Sequence, residues 1–235
     1  MQKEEIQNEP GFMTQRVNRL GFLKYSGAAI ATTGFLLAGV GCKKDDDNTP
    51  VTTKVDLGTG DIGVLNYAYA LEQLEAAFYT QVIATPFTGI TASESAILID
   101  IHKHELIHRD FLKAALGTSA IIGLTPKFTA IDFTNRASVL GTAKAFEDLG
   151  VSAYNGAGKL ITDANYLLLA GKIVSVEARH AAAIRDLINP NSADFAGDDV
   201  VLGLGLDIAR TPAEVLAIAG AYITNTLDAS RLPTS

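Results

Sequence analysis

From Asp61 the apolar residues fall at steps of three and four. Leu65, Ala68, Ala76 and Tyr79 form one stripe, Glu72 lies within it, and no proline follows until Pro86. That period predicts a helix with one buried face. Thr91-Ala92-Ser93-Glu94 has the spacing of a capping box and opens a second helix, which ends near Gly117, a residue suited to a helix C-terminus. A third helix runs from about Arg136 to Tyr154 and stops in Asn155-Gly156-Ala157-Gly158. The fourth runs from about Asp163 to Ile188, ahead of Asn189-Pro190. Thr211-Pro212-Ala213-Glu214 opens a shorter fifth, with proline at the first helical position and Glu214 three residues after the cap.

The connections set the topology. Helices one and two are joined by fewer than about ten residues, as are three and four, so each pair is antiparallel. Nearly twenty residues, Pro126 among them, lie between helices two and three. A helix of about 25 residues is about 38 Å long, and twenty extended residues reach roughly 65 Å. The linker is long enough to cross the whole bundle. The fold class is therefore all-α: a four-helix bundle with one long crossover from helix 2 to helix 3, over residues 59–190, which is the ferritin-like arrangement, although spacing alone does not separate it from an ordinary bundle. Residues 191–235 form a C-terminal extension with one short helix.

Acidic and histidine residues sit on the faces expected to be buried. Glu105-Leu106-Ile107-His108 and Glu177-Ala178-Arg179-His180 each carry Glu-x-x-His, and residues three apart on a helix face the same way. Glu105 aligns with Leu98, Ile101 and Leu112; Glu177 aligns with Ala170, Ile173, Ala181 and Ile184. With only four histidines in the chain, two such motifs on core faces are not expected by chance. Glu72 on helix one and Glu147 on helix three supply two more inward carboxylates. Each is followed two turns later by a tyrosine, Tyr79 and Tyr154, so the chain reads as a degenerate duplication of a helical hairpin.

Unpaired charges in a core are costly and call for a cation. One Glu from each of two helices, plus Glu-x-x-His from the other two, is the donor set of a carboxylate-bridged dinuclear site in a bundle. Oxygen donors with imidazole suit two Fe or Mn ions. The expected ligands, which would also be the catalytic residues, are Glu72, Glu105, His108, Glu147, Glu177 and His180. Glu75, one turn beyond Glu72, is the alternative ligand. Tyr79 and Tyr154 are candidates to hydrogen-bond the carboxylates, to quench oxidants, or simply to fill the core. His102 and His104 lack the repeat symmetry and are expected at the surface.

The stretches Leu65-Asn66-Tyr67-Ala68, Leu71 to Tyr79, His104-Glu105, Phe146 to Tyr154 and Val176 to Ala182 resemble the ferritin-like-domain family that includes the desiccation-related proteins. The resemblance covers about residues 59–190. It implies the same bundle and the same six metal ligands, and it carries fold and site further than it carries a reaction.

Ahead of the bundle the pattern changes. A polar lead to Lys24 precedes an apolar run from Tyr25 to Gly41 and then Cys42, the single cysteine of the chain. A basic lead, a short apolar core and small residues before a cleavage point predict a signal peptide over residues 1–41. Met13 offers a better start, since Arg16, Arg19 and Lys24 then form a basic region free of acids. Leu36 to Cys42 resembles a lipobox, which makes Cys42 the lipidation site. Arg19 to Lys24 resembles a twin-arginine export motif with Leu20 in place of the second arginine. Lys43-Lys44-Asp45-Asp46-Asp47 opens a solvated stretch, and residues 42–58 are read as a flexible acidic tether. The expected location is the Gram-negative envelope, at the periplasmic face or the cell surface, with the membrane reached through the lipid on Cys42.

Composition narrows the function classes. Of 235 residues, 48% are hydrophobic and 19% charged, which excludes a disordered chain. The net charge of −7 speaks against nucleic acid as a partner. One cysteine excludes a rubredoxin-type cluster and an internal disulfide. The expected partners are metal ions with O₂ or peroxide. Ala-rich faces such as Ala181-Ala182-Ala183 would allow close helix contacts within the bundle or between subunits of a homodimer. Two readings follow: a di-iron or di-manganese oxidoreductase of ferroxidase, peroxidase or catalase type acting in envelope stress protection, or a non-catalytic envelope scaffold or stress-tolerance protein with a structural or vestigial metal site.

Overall fold

A computed structural model describes residues 54–234 of the chain; the expected signal peptide, Cys42 and most of the expected tether lie outside them. Four long helices make up the body: α1 (Gly60–Ala84), α2 (Ala92–Leu116), α3 (Arg136–Gly158) and α4 (Ala164–Ile188). A short α5 (Pro212–Ala219) follows. Two three-residue strands, β1 (Lys54–Asp56) and β2 (Thr226–Asp228), pair in parallel with Val55 opposite Leu227. Among the described residues no helix is long and apolar enough to cross a membrane.

The local signals for the helix ends are used. Thr91 accepts a hydrogen bond from the Glu94 N–H while the Glu94 carboxylate accepts from the Thr91 N–H, closing the capping box of α2. Gly117 ends that helix at φ 55, a backbone that favours glycine. Asp163 caps α4, and Thr211 with Glu214 caps α5 behind Pro212. Helix α3 continues through the Asn155–Gly158 stretch. There Gly156 serves close approach: a Cβ at that position would lie 1.8 Å from the carbonyl oxygen of Arg210.

Side-chain pairs between the helices give their directions. Tyr79 meets Glu147 and Tyr154 meets Glu72, so α1 and α3 are antiparallel. Glu105 meets His180 and His108 meets Glu177, so α2 and α4 are antiparallel as well. Within each hairpin the short loop reverses the chain, which leaves α2 and α3 parallel. The crossover must then return along the full bundle, and it does so beside α1. Asn66 donates to the Ser119 carbonyl and accepts from the Ile121 N–H; one stretch further, Gln73 accepts from the Leu124 N–H. The crossover ends with Phe128 and Phe133 packed around Phe78.

The C-terminal extension closes over this crossover. Lys127 donates to the Tyr222 carbonyl at 2.7 Å, and Thr224 donates to the Thr125 carbonyl at 2.9 Å. Val215 and Ala219 of α5 are fully buried in the main core. Arg185 on α4 is buried between Asp148 of α3 and Asp199 of the extension, with bonds of 2.8 Å to each. Such a buried cation is tolerated only because both carboxylates face it. The end of the expected tether departs from a flexible chain: Lys54–Asp56 forms β1, and Val55 and Leu57 are buried. Those two apolar residues in an otherwise polar stretch carry the segment onto β2 and the core.

Candidate metal centre

The centre lies midway along the bundle, where all four long helices turn a carboxylate inward. Glu72, Glu105, Glu147 and Glu177 are each 0% exposed. The helical period explains this placement: each sits one or two turns from buried apolar positions, Ala68 and Ala76 on α1, Ile101 and Leu112 on α2, Ala143 on α3, Ile173 and Ile184 on α4.

The donors converge into two groups. Glu72, Glu105, His108 and Glu177 form one, and Glu105, Glu147, Glu177 and His180 form the other. Within each group one donor atom per residue lies within 4.8 Å of all the others. Glu105 and Glu177, the carboxylates of the two Glu-x-x-His motifs, belong to both. An ion about 2.1 Å from its donors sets opposite donors about 4.2 Å apart, so each group has the dimensions of a single cation site. All six expected ligand residues fall in these groups. Glu75 falls in neither.

The polar atoms here lack other partners. Both oxygens of Glu105, and one oxygen each of Glu72, Glu147 and Glu177, are buried without a hydrogen bond, as is Nδ1 of His108. His108 Nδ1 approaches Glu177 Oε1 to 2.7 Å, yet the two are not aligned as donor and acceptor. They face a common point instead. Orphaned buried groups cost about 1–3 kcal/mol each, and a divalent cation on each group would satisfy them together. The donor set fits a pair of hard or borderline divalent ions.

The protonation states fit the same picture. Burial opposes a charged imidazole, but Glu105, Glu177 and Glu72 outweigh it and push His108 up to about 12. His180 is likewise pushed up to about 12, against burial, by Glu105, Glu147 and Glu177. Burial raises Glu147, and bonding to His180 only partly offsets this, leaving it at about 7. Glu177 faces the same burial but both histidines, which bring it down to about 2. Without a cation, protons on the imidazoles take over part of the charge balance.

Two tyrosines complete the inner layer with pseudo-twofold symmetry. Tyr154 of α3 donates to Glu72 Oε1, and Tyr79 of α1 donates to Glu147 Oε1, each at 2.5 Å. Each fixes the carboxylate that belongs to one group only. Of the roles open to these tyrosines in the sequence, hydrogen bonding is therefore realised, within the core.

The halves are not equivalent, and the differences bear on two residues outside the ligand set. His104, expected at the surface, is exposed, but its ring stacks on His180 and its Nδ1 lies 2.9 Å from His180 Nε2. That contact leaves His180 Nδ1 for the carboxylate side. In the duplicated frame the counterpart of His104 is Val176, so His108 has no such partner. His102 bonds Thr80 and stays away from the centre. Glu75 is buried, and its counterpart on α3 is Gly150, where a Cβ would lie 3.1 Å from Glu75 Oε1. Burial, and then the charges of Glu105, Glu177, Glu72 and Glu147, hold the Glu75 carboxyl well above its usual range. The His104 contact had one sequence signal, its place one turn before His108 on the same helix face.

An antiparallel pair of helical hairpins with a lengthwise crossover, enclosing four carboxylates and two imidazoles, defines a ferritin-like bundle with a buried acidic and histidine cluster able to hold metal. The family comparison agrees. The model of the ferritin-like domain matches residues 60–190, more than half of the chain, and the protein belongs to that family. Comparison with curated proteins gives no match.

Proposed function

We propose that the protein would hold two Fe or Mn ions, with Glu105 and Glu177 available to both positions, and would use them in two-electron oxidation, taking Fe(II) as substrate or removing peroxide or O₂. The observation that carries this is the sharing of those two carboxylates between two four-donor groups. Glu72 and His108 would complete one position, Glu147 and His180 the other. Tyr154 and Tyr79 hold the outer carboxylates in place, and His104 sets the tautomer of His180. A bound pair of ions supplies two electrons to one oxidant in a single event. Hydrogen peroxide taking two electrons and two protons leaves as two waters; dioxygen taking the same leaves as hydrogen peroxide. The setting proposed for this chemistry is the cell envelope, with the protein exported and anchored through a lipid on Cys42, in protection against oxidative stress.

The test is metal content, followed by Fe(II) oxidation. Protein purified without chelators should carry close to two Fe or Mn per chain, and a double variant, His108→Ala with His180→Ala, should carry far less. Fe(II) oxidation by the intact protein should be lost in Glu105→Ala. Equal rates in the two proteins would sink the oxidase reading. A folded protein that refuses both Fe(II) and Mn(II) would leave a scaffold. For the anchor, Cys42→Ala should move the protein out of the membrane fraction.

A further inference from the structure

An apolar cavity of about 30 Å³ lies in the bundle one helical turn from the metal centre. Ala68 of its lining is one turn before Glu72, Leu112 one turn after His108, and Ile173 one turn before Glu177. Tyr154, which donates to Glu72, also lines it. The cavity thus abuts the position completed by Glu72 and His108. Its outer lining includes Phe111, 40% exposed, so the wall reaches the surface.

The duplication explains why small residues leave space here where larger ones pack at the other end. Leu71–Tyr79 of α1 matches Phe146–Tyr154 of α3, so Ala153 at the cavity corresponds to Phe78, and Leu71 to Phe146. Phe78 and Phe146 are buried and pack edge to face at 5.1 Å, filling the layer beyond the other half of the centre. The same holds on the partner helices: Ala170 at the cavity corresponds to the buried Leu98. Tyr67, larger than its counterpart Thr142, does not refill the gap. Its hydroxyl is buried without a partner among the described residues.

We infer that this cavity is a binding site for dioxygen beside the metal centre. About 10–15 Å³ holds one water-sized probe, so the volume suits a diatomic molecule and is too small for a ring. The wall is made almost wholly of carbon. Apolar cavities of this kind stay dry and take up non-polar gases, because a water inside would forfeit its hydrogen bonds. Hydrogen peroxide meets the same obstacle, since it needs several partners and the lining offers one free hydroxyl. The cavity therefore selects dioxygen over peroxide as the oxidant stored next to the Glu72 side. Its role as oxidant supply rests on the function proposed above; its occupancy by a gas does not.

Xenon serves as the probe of occupancy. Titrated into the protein, xenon should shift the methyl resonances of Leu65, Leu112 and Ile173 to saturation while leaving Leu98 and Ile184 unmoved. Ala153→Phe and, separately, Ala170→Leu restore the larger residues of the opposite end and should abolish the shifts. The half-exposed Ala170 site is the gentler of the two and keeps the test valid if Ala153→Phe does not fold. With Fe(II) bound anaerobically, either variant should slow oxidation by O₂ tenfold or more, with oxidation by hydrogen peroxide within twofold of the parent. Absence of the xenon shifts would overturn the inference. Unchanged O₂ rates in a variant that no longer takes xenon would also overturn it, as would equal slowing with both oxidants. Xenon shifts in a parent protein that oxidises Fe(II) with neither oxidant would overturn the proposed function and leave the gas site standing.

Discussion

The hydroxyl of Tyr154 is the donor to Glu72 Oε1, as Tyr79 is to Glu147 Oε1. Replacing either by Phe leaves a buried carboxylate oxygen bare, at a cost of about 1–3 kcal/mol in the metal-free protein. Mn(II) affinity at the adjacent position should fall by about 10–100-fold, the usual effect of losing a group that orients a ligand. Titration followed by electron paramagnetic resonance would detect this; an unchanged affinity would reduce both tyrosines to packing. His104 makes a sharper case because only one half of the centre has it. His104→Ala should weaken one of the two Mn(II) ions by about 10–100-fold and spare the other, turning a single binding phase into two. His102→Ala, which removes a ring that bonds Thr80 instead, should leave the single phase unchanged.

At the level of elements, the start of α2 is tied to two of its neighbours through Glu94. Its carboxylate accepts from the Thr91 N–H at 2.8 Å and from Arg136 of α3 at 2.6 Å, while Arg136 also donates to the Leu187 carbonyl at the end of α4. Glu94→Ala should destabilise the fold by about 1–2 kcal/mol, the scale of a lost cap. The Thr91 N–H, against some burial and with help from Arg136, holds the Glu94 carboxyl below its ordinary value of 4.5. A carboxyl depressed in the folded state contributes its stability above the unfolded value and loses it as pH falls through the folded one. Denaturation of parent and variant should therefore differ most near neutral pH and converge as the pH is lowered below 4.5. A gap that persisted in acid would mean that packing, rather than charge, is what Glu94 supplies.

For the molecule as a whole, cation binding and folding are linked. A ligand at 100 times its Kd adds about 2.7 kcal/mol per site to the folded state, so Mn(II) should raise Tm and a chelator should lower it. The protons carry the sign of the pH effect. In the metal-free protein the carboxylates push His108 and His180 up to about 12, so both are charged at neutral pH. A metal must displace those protons, and affinity should therefore rise with pH between 6 and 8. Calorimetry in buffers of different ionisation enthalpy would count the protons released; zero release would contradict the charge balance described for the centre.

The sequence by itself carried the four helices, the caps at Thr91 and Thr211, and the six inward acidic and histidine residues. These depend on local period and on the rule that residues three or four apart share a helix face, which a linear chain states directly. The last residues of the expected tether, β1 and its pairing with β2 were not legible, because three-residue strands have no period and these two are separated by about 170 residues of chain. The contact of His104 was hidden for a related reason: its exposure follows from the helix, but the ring it meets belongs to α4. The sequence also left Glu75 as an alternative to Glu72; in the fold Glu72 falls in a donor group while Glu75 lies against Gly150 of α3. The cavity beside the centre is the furthest from sequence. It exists only because small residues on α3 and α4 face each other across the bundle, and the size of a gap is a property of the packed layer rather than of any residue in it.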